Sequence, residues 1–182
     1  TMLLANDDPP EALVTFLRAK ADVIVDAAFG CFDAGAHGCY FHACAVIDRV
    51  LEQHTDVVYE TIGESQASVA AYVGKILRHV EYPPVAETAC NLIIPPLASC
   101  NQKHWLQRRY DVTNAQKWDY CRALAQYNLM AVLVDSVCSA GVSDARALAT
   151  ADLLAELIRR LSVDEHGELL LAPLGHCPHV LD

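Results

Sequence analysis

Apolar residues recur at helical spacing along most of the chain. The clearest run is Val69, Tyr72, Val73, Ile76, Leu77 and Val80. These fall at i, i+3, i+4, i+7, i+8 and i+11, which is one face of a helix. Ser65 stands where that helix needs a cap. Tyr82-Pro83-Pro84 ends it, because the residue before a proline avoids the α region. Upstream, Asp8-Pro9-Pro10-Glu11 supplies a capping acid, prolines for the first turn and a glutamate three residues after the cap. Leu13, Leu17, Ile24 and Ala28 extend one apolar face from there. Gly30, Gly35 and Gly38 then predict a connector. A second helix from Cys39 to His54 carries Tyr40, Cys44, Ile47 and Leu51 as its stripe. Thr55 to Gly63 reads either as a loop or as a continuation of that helix.

In the second half, Val85 to Ile94 starts a helix that Pro95-Pro96 must break or kink, and another runs from Leu97 to Tyr110. Thr113-x-x-Gln116 is a capping box. It predicts a long helix to Ala140, with Gly141 as its C′ residue. Leu129 to Val134 is apolar all round, which places that helix at the bundle centre. Ser143 caps a further helix whose face is Leu148, Leu154, Ile158 and Leu161, and Arg159 and Arg160 suit its last turn. Asp164 to Gly167 reads as a turn and Glu168 to Leu171 as a short strand or extended arm, while Pro173, Gly175 and Pro178 oppose further helix. The prediction is one all-α domain. A lead covers residues 1–8, a helical bundle of five to seven helices covers 9–161, and a short non-helical C-terminal arm covers 162–182.

Composition adjusts this picture. With 182 residues the chain suits a single domain. Its apolar share of 53% and charged share of 20% suggest a generous core or some apolar surface given to a partner, and a homodimer is the commonest use of such surface. The formal net charge of −10 disfavours nucleic acid and anionic membranes. No apolar run is long enough to span a bilayer, and no signal-peptide pattern opens the sequence, so a soluble cytoplasmic protein is expected. The eight cysteines (Cys31, Cys39, Cys44, Cys90, Cys100, Cys121, Cys138 and Cys177) sit mostly inside apolar helical patterns. They read as reduced thiols serving as small core hydrophobes.

Three constellations bear on chemistry. Cys39 and His42 are spaced i, i+3, and Cys100 and His104 are spaced i, i+4, so each pair shares a helix face. Two such helices side by side would make a tetrahedral Zn site. The same region offers a nucleophile, since Cys39 opens a helix with His42 one turn on. The tail string His176-Cys177-Pro178-His179 is a second tract of metal-ligand types.

The third constellation is a basic, aromatic corner. Lys103, Arg108, Arg109, Lys117 and Arg122 are opposed there only by Asp111 and Asp119, with His104, Trp105, Tyr110, Trp118 and Tyr120 interleaved. Arginine forks grip carboxylate or phosphate, and aromatic faces stack planar ligands. An anionic ligand or an acidic protein partner is therefore expected at Lys103, Trp105, Arg108, Arg109, Tyr110, Lys117, Trp118 and Arg122. Glycine-rich phosphate loops, GxSxG and HExxH are all absent from the sequence.

Ala27 to Glu52 pairs a small-residue helix with one bearing an aromatic residue and an acidic-basic end. This stretch, about one seventh of the chain, resembles the first half of HEPN-type helical domains. The resemblance implies an RNase motif of arginine, four to six residues, then histidine, a spacing that Arg160 and His166 have. The family places that motif at the start of its last helix with a polar residue after the arginine. Here it falls at a helix end, and Leu161 follows. The leading expectation is a non-catalytic regulatory or protein-interaction module, homodimeric, with the basic corner as its contact. A metal- or small-ligand-binding protein using the Cys/His pairs, enzyme or not, is the alternative, and a HEPN-like RNase is a further one.

Overall fold

The computed structural model describes residues 15–16, 18–35, 37–93, 113–139, 144–163 and 167–176. Their helices are α1 (Ala21–Asp33), α2 (His37–Gln53), α3 (Thr55–Gly63), α4 (Gln66–Ile76), α5 (Pro83–Ile93), α6 (Asn114–Gln126), α7 (Leu129–Cys138), α8 (Ala145–Leu161) and α9 (Gly167–Leu171). Short 3-10 turns follow α4 at Leu77–His79 and α9 at Ala172–His176. No strand occurs among the described residues. The fold is an all-α helical bundle. Its closest neighbours are α1 on α2, α2 on α5, α3 on α6 and α7 on α8, while α9 lies against α6 and α8. Phe29, Phe32, Tyr40, Ile47, Ile62, Ile76, Leu92, Ile93, Tyr120 and Leu124 are fully buried between them.

Where local signals were strong, they set the structure. Ser65 caps α4 by accepting from the Ser68 N–H at 3.1 Å. The expected face of that helix is buried at Val69, Val73, Ile76, Leu77 and Val80. Thr113 and Gln116 form the capping box of α6, with Gln116 N–H donating to Thr113 Oγ1 at 3.2 Å and Thr113 N–H donating to Gln116 Oε1 at 3.0 Å. Tyr40, Cys44, Ile47 and Leu51 are all buried along α2.

Five expectations change. The helix does not stop at Gly30. α1 runs on to Asp33, because Phe29 and Phe32 continue its buried face and outweigh the ~1 kcal/mol that a glycine costs inside a helix. The described part of the connector is Ala34–Gly35, and Gly35 adopts a φ of 62°, which suits glycine. The ambiguous stretch after His54 is a separate helix, α3, entered through buried His54 at φ −141° and ψ 50°.

The single long helix from Thr113 to Ala140 divides into α6 and α7 at Asn128, which is left-handed at φ 58° and ψ 42°. Asparagine tolerates that conformation better than most residues. The expected all-buried stretch then has a solvent side at Val132. The buried face of α8 is Ala147, Thr150, Leu153, Leu157 and Leu161. Leu148 and Ile158 from the expected face are instead 58% and 39% exposed. The N-cap of α8 is Asp144, which accepts from the Arg146 N–H at 2.8 Å; Ser143 lies outside the described residues.

Last, the described part of the expected arm is helical. Gly167–Leu171 forms α9 and buries Leu170, and Ala172–His176 follows as a 3-10 turn. Proline is compatible with the first turn of a helix, so Pro173 does not exclude this path. Residues 177–182 lie outside the described residues.

Candidate functional site

Two helices distant in sequence meet where α3 lies on α6. Gly63 ends α3, and a Cβ there would fall 2.9 Å from Tyr120 Cδ2 and 3.3 Å from Tyr120 Cα. Lacking a side chain, this position lets the helix backbones approach closely. One turn back, Tyr59 stacks on Tyr120 with ring centroids 4.6 Å apart and planes 15° apart. The Tyr120 hydroxyl donates to the Leu92 carbonyl at 3.1 Å, which ties α6 to the end of α5. Burial pushes both phenols above their ordinary range, so they stay neutral.

Beside this close approach lies an open cleft of about 410 Å³. Tyr59, Glu60, Gly63, Glu64 and Ser65 line one side, and residues of α6 from Gln116 to Gln126 line the other. Gln116 is bound on both sides. Its carbonyl oxygen closes the capping box, and its amide donates to Glu60 Oε1 at 2.9 Å. Arg122 pairs with Asp119 at 2.8 Å, with both side chains exposed. Such a pair contributes little to stability. Glu64 makes no hydrogen bond or ion pair among the described residues. The cleft therefore presents Glu60, Glu64 and Asp119 against one arginine that Asp119 already engages. Its described lining holds no histidine or cysteine. What it can do chemically is bind, through carboxylates, an amide, a hydroxyl and tyrosine edges.

The basic, aromatic corner is only partly within the described residues. Lys103, Trp105, Arg108, Arg109 and Tyr110 lie outside them. On α6, Lys117 is half-buried, Trp118 is exposed and Arg122 is exposed at the cleft rim. In this portion Arg122 is paired with Asp119, and Glu60 and Glu64 line the same cleft. Tyr120 is not a stacking platform in solvent but a buried wall.

Of the metal-site residues, Cys100 and His104 lie outside the described residues. Cys39 and His42 are both exposed near the start of α2, with the His42 ring edge-on to Phe41 at 5.6 Å. Among the described residues no group of three or more metal-ligand side chains converges. The cysteines divide by position: Cys44 and Cys121 are buried as expected, Cys31 and Cys90 are half-buried, and Cys39 and Cys138 are exposed, all as free thiols. Of the tail tract only His176 is described, at the end of the last turn. In the RNase-like pair, Arg160 is held by Glu156 of its own helix, and His166 lies outside the described residues.

Two polar clusters escaped the sequence reading. On α2, Asp48 accepts from Thr88 Oγ1 at 2.8 Å and from Asn91 Nδ2 at 3.2 Å, both on α5. Near the α1–α2 corner, His79 packs against both Phe32 and Tyr40, which also contact each other, and His37 stacks on Tyr82 at 5.0 Å. Neither these clusters nor the α3–α6 cleft has a local signature, since each joins residues about 40 to 60 positions apart. No family model matches the chain, and no curated protein or solved structure does either.

Proposed function

We propose that the chain is a non-catalytic helical interaction module that docks its partner in the α3–α6 cleft. The observation that carries this is the cleft itself. It is an open, preformed hollow walled by two helices, at the small end of the usual range for ligand sites, and its described lining offers binding groups but no histidine or cysteine. Self-association belongs to the same reading. Leu148, Ala155 and Ile158 are exposed along one side of α8, an apolar stripe of the kind that two copies can share.

The test is amide-shift mapping with three short peptides, one basic, one acidic and one apolar. Perturbations confined to residues 59–65 and 116–126 with any of them support the module. Three peptides that leave those amides unmoved overturn it.

A further inference from the structure

The α3–α6 cleft has a shape as well as a charge. Its α6 wall runs from Gln116 to Gln126, which at helical rise is about 15 Å. An extended peptide covers that length in roughly four or five residues, at about 3.3 Å each. The cleft is open along its side rather than closed over, so a segment of a larger partner can enter without threading. Its carboxylates come from both walls, Glu60 and Glu64 on one and Asp119 on the other.

Their states differ. Glu60 is met by a neutral amide, and Asp119 by Arg122 in an exposed pair. Glu64 has no partner among the described residues. Arg122 is the one basic side chain in the described lining. A ligand that brings positive charge gains attraction from both walls, whereas an anion would face uncompensated glutamates at close range.

We infer that the cleft takes an extended basic segment of a partner protein, with lysine or arginine side chains reaching Glu60 and Glu64. This rests on the interaction-module reading and sharpens it by giving the partner a charge and a conformation. A chain of net charge −10 attracts cations over its whole surface, so the experiment must separate the cleft from that background.

The probe is a labelled hexa-arginine peptide, with hexaglutamate and an uncharged hexapeptide beside it, titrated by anisotropy at low and moderate salt. Two variants carry the same change of charge. Glu64→Lys alters the cleft, and Asp135→Lys alters an exposed site on α7 that does not line it. The expected result is that hexa-arginine binds, that added salt weakens it, and that Glu64→Lys weakens it about tenfold while Asp135→Lys leaves it within about twofold of the parent. Equal loss in both variants assigns the binding to the general field and overturns the inference. Cleft amides that respond to the acidic or uncharged peptide but not to hexa-arginine overturn the inference while leaving the module reading intact. Cleft amides unmoved by every peptide overturn both.

Discussion

Asp48 on α2 accepts a hydrogen bond from the Thr88 hydroxyl on α5 at 2.8 Å, so the two helices share a carboxylate in a largely apolar seam. Burial pushes the Asp48 carboxyl above its ordinary range, the bonds from Thr88 and Asn91 pull it back, and Glu87 and Glu52 push it up further. An acid whose folded pKa is raised binds its proton more tightly in the native state. Its contribution to stability is therefore greatest at low pH and falls as pH rises through the window above the ordinary aspartate value. Asp48→Asn keeps both hydrogen bonds within reach and removes the charge. Its melting temperature is expected to exceed the parent's at neutral pH, with the gap closing below about pH 4. An equal gap at both pH values would refute this account.

Glu156 works in the opposite sense. Hydrogen bonds from Arg159 lower its carboxyl to about 2, burial opposes them, and Arg160 adds to the lowering. A depressed acid stabilises the fold above its unfolded value and loses that contribution as pH falls toward the folded one. The pairs are partly exposed, so Glu156→Gln should cost less than about 1 kcal/mol at neutral pH, a cost that shrinks toward pH 2 and vanishes below it. Denaturant titrations at the two pH values, with and without added salt, measure it.

Three glycines give predictions of different sign. A Cβ at Gly167 would lie 1.9 Å from the Leu161 carbonyl oxygen. That is backbone, which has little freedom to move, so Gly167→Ala should cost about 3 kcal/mol or more. At Gly63 the obstacle is mainly the Tyr120 ring, and Gly63→Ala should cost about 1–3 kcal/mol and shift the tyrosine stack. Gly30 is helical with nothing within 4 Å of its Cβ position, so Gly30→Ala should stabilise by about 0.5–1 kcal/mol. Chemical denaturation of the three variants orders them, and a stabilised Gly167→Ala would contradict the close approach of Gly167 to Leu161.

Self-association is read by light scattering. The parent should run as a dimer at high micromolar concentration, and Leu148→Glu with Ile158→Glu should run as a folded monomer whose melting temperature no longer depends on protein concentration, because both side chains point outward. A parent that is already monomeric removes the α8 stripe from the account.

What was legible in the sequence was what neighbouring residues decide. Ser65 and the Thr113–Gln116 box act within one turn, so their effect can be read without knowing the fold. The face of α8 could not be read that way. Leu148 and Ile158 lie on one apolar stripe, Leu153 and Leu157 on another, and contacts with α5, α7 and α9 select between them. Asn128 divides the expected helix just before its apolar run because one left-handed residue suffices to turn the chain. The cleft was the least legible feature. Glu60 and Gln116 meet across 56 positions, and Gly63 matters only because Tyr120 packs against it.

Gln116 draws the local and the distant together. One face of its amide completes the first turn of α6 and the other grips Glu60 on α3. Fraying at the start of a helix is ordinarily an end effect with no reach beyond its own turn. Here it would release Glu60 in the same motion, so the looseness of a single helix terminus is transmitted to the opposite wall of the cleft.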